Sequence, residues 1–184
     1  MKKFFGYLKT VIIHKWWVFY YSCIFGIPLR GFLHDFSKLS PCELYENVKY
    51  YDGTKSPVRI AKEKNGYSKA WLHHRGRNSH HYEYWCDNLD QGGRPICMPY
   101  KDTVEMLCDY FAAGKTYNGK DFSYQQEYEW WLKEREKITV MHIVPKTFLG
   151  LTFAKIAENN KLLSKKEIKL IYNKIKDGFY NEKN

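Results

Sequence analysis

His34 and Asp35 are neighbours in a chain whose histidines crowd into its first half. Six of the seven precede residue 82, as His14, His34, His73-His74 and His80-His81. A His-Asp pair on a helix offers one imidazole and one carboxylate, and the two carboxylate oxygens can bridge two cations while the imidazole binds one. A second carboxylate from a distant helix would complete such a centre. Asp109 fits, because it interrupts an otherwise apolar stretch from Val104 to Ala113, where an unpaired charge would be costly to bury. Of the adjacent histidines, His74 is preferred to His73, since Ala70 lies one turn before it and leaves room on that face. No spacing argument separates His80 from His81, so both are carried, with Glu83 as the expected acceptor for an imidazole N–H. The competing structural reading makes His34-Asp35 a capping pair, His14 a core histidine and Asp109 a surface charge; His142 is read as structural.

Arg30, Arg75 and Arg77 flank the proposed ligands and could grip phosphate bidentately. The net charge of +10, from thirty basic and twenty acidic residues, favours an anionic partner. A small anionic substrate, a nucleotide first, is expected, and nucleic acid ranks behind it. Five cysteines without a CxxC pair suggest neither a disulfide framework nor a zinc ribbon, which points to a reducing cytoplasm. The apolar run from Trp16 to Leu29 is shorter than the ~20 residues of a span, so no membrane partner is expected.

These side chains need elements to hold them, and the helix-start signals suit a bundle. Ser40-Pro41-Cys42-Glu43, Asp102-Thr103-Val104-Glu105, Ser123 to Gln126 and Ser164 to Glu167 each read as a capping box. They predict helices from 41 to about 51, from 103 to a stop at Gly114, from 124 to about 138, and a last one stapled by Leu163 and Ile168. Residues 4–30 read as helix, a break at Gly26-Ile27-Pro28, and a new helix near Gly31. Further helices start at Ser56 and Ser68, and residues 86–99 form a loop. Nothing requires a sheet. The expected fold is an all-α bundle, one domain over residues 1–184, with a site-bearing core at about 10–115. The helices of 115–184 cover that core or form a homodimer face.

The ordered set His14, His34-Asp35, one of His73/His74, one of His80/His81 and Asp109 resembles the HD metal-dependent phosphohydrolase superfamily, and His34-Asp35-Phe36-Ser37-Lys38 is similar to its HDxxK form. The strings LRGFLHDFSKLSP and AWLHHRGRNSHHYEYW look like those of a small uncharacterised bacterial and phage family. Together these resemblances cover about residues 10–115. They imply an HD-like bundle with one or two divalent ions (Mn, Fe, Co, Ni or Zn), held by His14, His34, Asp35, His74, His80 or His81, and Asp109. Asp35 and Lys38 would be catalytic, with Lys38 also on the substrate phosphate, and metal-activated water would hydrolyse a phosphoester. Two alternatives stand beside this: an HD-type di-iron oxygenase with the same ordered ligands, and a non-enzymatic nucleotide or nucleic-acid binder using charge and aromatic rings.

Overall fold

The computed structural model describes residues 1–181 and is all-α apart from one two-residue pairing. Helix α1 (Lys2–Phe25) buries Tyr7, Val11, His14, Val18, Tyr21 and Phe25, a spacing of three and four that lines one face. It ends where Gly26 turns left-handed (φ 78) and the Ile27 N–H returns to the Ser22 carbonyl, a glycine stop of the expected kind. Pro28 then opens the short α2 (Pro28–Leu33). Gly31 lets α2 lie against α1, because any Cβ there would collide with Ser22.

The remaining elements are α3 (Pro41–Tyr50), α4 (Pro57–Asn65), α5 (Lys69–Arg75), the strands β1 (Cys86–Asp87) and β2 (Arg94–Pro95), α6 (Tyr100–Asn118), α7 (Tyr124–Arg135), α8 (Ile143–Asn159) and α9 (Lys165–Asn181). α6 packs along α1, and α7, α8 and α9 close the other side. The core between them is aromatic. Tyr21, Phe111, Phe153 and Trp131 form a chain of ring contacts, with centroids 5.4, 5.1 and 5.7 Å apart in turn. All five cysteines are free, and no helix among the described residues is long and apolar enough to cross a membrane.

Two expectations need correction, and one helix has no counterpart among the start signals. The loop at 86–99 contains the antiparallel pair Cys86–Pro95 and Asp87–Arg94. Helix α8 carries no Ser, Thr, Asp or Asn start signal; the ring of His142 caps it instead, its Nδ1 accepting from the Val144 N–H. Helix α6 begins at Tyr100 and runs past Gly114 to a stop at Gly119 (φ 55). Gly114 sits inside the helix because a side chain there would strike the Glu127 carboxylate and the Phe122 ring.

Glu127, 7% exposed, is pushed up to about 7 from 4.5 by burial. The folded chain therefore keeps a proton that the unfolded chain has lost, so stability falls as pH rises from about 4.5 to about 7. Glu127→Gln has no charge to bury. Its stability relative to the parent should rise by about 2–3 kcal/mol between about pH 5 and pH 8, read from denaturant midpoints at the two values.

Candidate metal centre

The pair at 34 and 35 does not lie on a helix. His34 follows the last turn of α2 with extended ψ (132), and Asp35 is left-handed at φ 55. Successive helical residues diverge by about 100°, so a helix would have aimed the two side chains apart; this turn aims both inward. Asp tolerates the left-handed region better than most residues. Lys15 holds the turn by donating to the His34 carbonyl while its ammonium lies 4.1 Å from the Phe36 ring centroid.

Asp35, 2% exposed, becomes the centre of two groups. Its Oδ1 lies 3.2 Å from His74 Nε2 and 3.3 Å from His80 Nε2. Its Oδ2 lies 3.1 Å from His34 Nε2, 3.9 Å from His14 Nε2 and 2.5 Å from Lys38 Nζ. Asp109 Oδ1 faces the second group, 3.0 Å from His14 Nε2 and 3.6 Å from His34 Nε2. Two clusters that share Asp35 could each hold an ion, Asp35-His74-His80-His81 and His14-His34-Asp35-Asp109, beside a third group of possible ligands, His34-His80-Glu105. Asp35 Oδ2 is paired with Lys38 and His14 Nε2 stands against Asp109, but His80 Nε2 and His81 Nε2 are buried without a hydrogen-bond partner. Each such atom ordinarily costs about 1–3 kcal/mol, and a mixed imidazole and carboxylate donor set suits a transition-metal ion. The residues fit the implied metal.

Two carboxylates that stand at capping-box positions instead orient the imidazoles. Glu43 was expected to cap α3. It is 1% exposed and takes His73 Nδ1 at 2.7 Å and His74 Nδ1 at 2.8 Å. Glu105 was expected to cap α6. Its Oε1 lies 2.9 Å from His34 Nδ1 and 3.3 Å from His80 Nδ1, and its Oε2 takes Arg30 Nε at 2.5 Å. Placing an N–H on each Nδ1 leaves the Nε2 lone pairs of His34, His74 and His80 facing Asp35. Asp102, Glu105 and Asp109 stand at i, i+3 and i+7 on α6, one acidic stripe on a helix with an apolar core face. That periodicity was the available sequence signal. Glu83 does not serve as the imidazole acceptor; among its neighbours are Lys62, Arg75 and Tyr82.

The turn after α5 is fixed by Asn78, whose side chain donates to the His74 carbonyl at 2.7 Å and to Ser37 Oγ at 2.9 Å, and by Trp85 Nε1 donating to the Ser79 carbonyl at 2.6 Å. These bonds fold residues 75–81 back so that His80 and His81 rejoin His74. His73 remains outside both clusters. Of the arginines, Arg30 spends its guanidinium on Glu105 and on Asp102, 2.5 Å away; Arg75 lies half-buried near Glu83, and Arg77 is exposed. None of the three is brought onto the two clusters.

Burial alone would raise the Asp35 carboxyl, but His34, Lys38 and His74 hold it well below the usual range; at Asp109, His14 and His34 likewise outweigh burial. Burial, then Lys38, pushes His14 down to about 4, and burial with His80 and His74 lowers His81 well below its ordinary value. Those four groups sit in the protonation states that ligation requires. At His74, burial opposes the charge, but Asp35 and Glu43 raise it to about 9. Burial likewise opposes a charge on His34, but Asp35 and then Asp109 raise it well above its ordinary value. An ion would have to displace a proton at either ring, so uptake at both clusters should weaken as pH falls. His74→Ala should remove one of two bound ions, whereas His73→Ala should leave both; elemental analysis of the two purified variants compares them directly.

The family of unknown function DUF5662 matches residues 3–155, and the chain belongs to it. The match extends beyond α6 through α7 and most of α8. No curated protein and no solved structure matched the chain.

Proposed function

We propose that this DUF5662 chain is a two-metal phosphohydrolase with an HD-like arrangement, acting on a small phosphoester, a nucleotide first among them. The observation that carries the reading is the division of the Asp35 oxygens between two buried histidine groups, with His80 Nε2 and His81 Nε2 left without hydrogen-bond partners. When bound, divalent ions would supply Lewis acidity and a water acidic enough to act as nucleophile near neutral pH. His14, His34, Asp35 and Asp109 would hold one ion, and Asp35, His74, His80 and His81 the other. Mn, Fe, Co, Ni and Zn all suit this donor set.

The chain's own residues then have defined tasks. Asp35 fixes the spacing of the two groups. Glu105 and Glu43 hold the imidazole rings in orientation. Lys38 is the cation beside them. Burial opposes its charge, but Asp35 and then Asp109 hold it protonated. Its side chain is 24% exposed and that of Asp109 15%, whereas those of Asp35 and His34 are closed to solvent. A phosphoryl group entering on the Lys38 and Asp109 side would meet this ammonium, which can stabilise the extra negative charge of the transition state. Arg30, already engaged by two carboxylates, acts here as a support for Glu105.

The test is elemental analysis of the purified chain, followed by turnover of a panel of nucleotides and simple phosphodiesters with Mn, Co or Ni added. Two transition-metal ions per chain and chelator-sensitive hydrolysis are expected. Lys38→Ala should keep the ions and lose about 10²-fold in kcat/KM. A chain that binds no metal sinks the proposal, and iron-dependent turnover that requires dioxygen and releases no phosphate would replace it with the oxygenase reading.

A further inference from the structure

Helix α1 is apolar on two opposite faces. One packs on α6; the other is open, with Phe5 63%, Ile12 67%, Trp16 62% and Tyr20 45% exposed. Those positions recur at intervals of seven, four and four, which sets them along one line of the helix. α2 lies alongside and adds Leu29 at 69% and Phe32 at 60%. With large side chains presenting about 150–250 Å² when fully open, these six give roughly 700 Å². That is above the ~300–600 Å² of the largest patch on an ordinary monomer.

The charge around this face is one-sided. The first 34 residues contain Lys2, Lys3, Lys9, Lys15 and Arg30 and no Asp or Glu. Lys15 and Arg30 are engaged internally, but Lys2, Lys3 and Lys9 are exposed at the start of α1, and the Lys165 side chain lies on Gly26 at its end. Lys2 and Lys9 fall on the same line as Phe5 and Trp16. A second copy of the chain would bring this basic surface against itself. A nucleic acid would match the lysines but has no use for isolated aliphatic side chains such as Ile12 and Leu29.

We infer that the outer face of α1 and α2 docks on an anionic lipid surface. Its aromatic and aliphatic side chains would enter the headgroup boundary, and its lysines would meet acidic headgroups. The chain then lies on the bilayer without spanning it, a partner that the length of the apolar run at Trp16–Leu29 had argued against. The face adjoins the metal centre, because α2, which carries Leu29 and Phe32, ends at His34.

The full chain should co-sediment with phosphatidylserine/phosphatidylcholine vesicles and bind phosphatidylcholine vesicles about tenfold or more weakly, with added salt weakening the former. The double variant Trp16→Glu, Phe32→Glu should lose vesicle binding while keeping its thermal midpoint, since both side chains are open to solvent. Leu89→Glu, on an equally exposed leucine of the 86–95 hairpin, should bind as the parent does. Sedimentation velocity on the same samples identifies the alternative. A dimer that the double variant dissociates, with no vesicle binding, overturns the inference in favour of a second copy. Equal binding to both vesicle types overturns the role of the lysines, and binding to oligonucleotide in place of vesicles overturns the lipid.

Discussion

Asp35→Asn is expected to lower metal content from two ions to less than one and to reduce hydrolysis by at least about 10³-fold. Asparagine is the informative replacement because it tolerates the left-handed conformation at φ 55, so the turn survives and the chemistry alone changes. The amide offers one neutral oxygen where the carboxylate offered two anionic ones, and its NH2 end cannot ligate. Asp109→Asn serves as the internal control. Among the imidazoles Asp109 faces His14 and His34, so its loss should cost one ion and leave the His74 cluster able to bind the other. The ordering of the two variants, measured by metal analysis on the same preparation, is the prediction. An Asp35→Asn protein that retains both ions would show that the carboxylate does not join the two sites.

The contrast between Asp35 and its supports marks how far the sequence could be read. His14, His34, Asp35, His74, His80, His81 and Asp109 were legible as candidates from their clustering and order, and His14 and Asp109 also because each is the wrong kind of residue for its setting. A histidine among Val11, Ile12 and Ile13, or an aspartate among Leu107, Cys108 and Phe111, needs a partner that local structure cannot supply. Glu43 and Glu105 read as caps because each satisfies a local rule completely, and only the acidic stripe on α6 pointed to Glu105. Three residues after Ser40 and after Asp102, both complete a capping box, and the tertiary partners that claim them lie 25 or more positions away. Neither Ser40 nor Pro99, which precedes α6, makes a side-chain cap bond, so the box was a pattern without its hydrogen bond. At Ser123 and Ser164, where no distant histidine competes, the caps form as the pattern implies. Gly114 follows the same logic in reverse. Its helix-ending signal is overridden by Glu127, which needs the space a side chain would fill.

Glu105 is therefore the residue at which a change outside the ligand set should have the largest effect. One carboxylate receives two imidazoles and a guanidinium. Its own charge is secured because, although burial opposes it, bonds from His34 and His80 hold it well below the usual carboxylate range. Glu105→Ala removes the acceptor for His34 Nδ1 and His80 Nδ1 together, which frees both rings to turn and to carry the proton on Nε2, the atom that must face an ion. Loss of such an orienting partner typically weakens metal binding 10–100-fold, and because the two rings belong to different clusters, both ions should be affected. The same change leaves Arg30 with only Asp102 and Ser79. Breaking the pair should lower stability by about 3 kcal/mol even with the metal stripped, a figure at the low end for a buried pair because Arg30 is part-exposed. Glu105→Gln separates the two effects. Its amide oxygen can still accept from an imidazole while the charge opposite Arg30 is gone, so metal affinity should recover further than stability does. Chelator competition reads the first quantity and denaturant unfolding of the stripped protein reads the second. An alanine variant matching the parent in both would mean that the rings at 34 and 80 are positioned by packing alone.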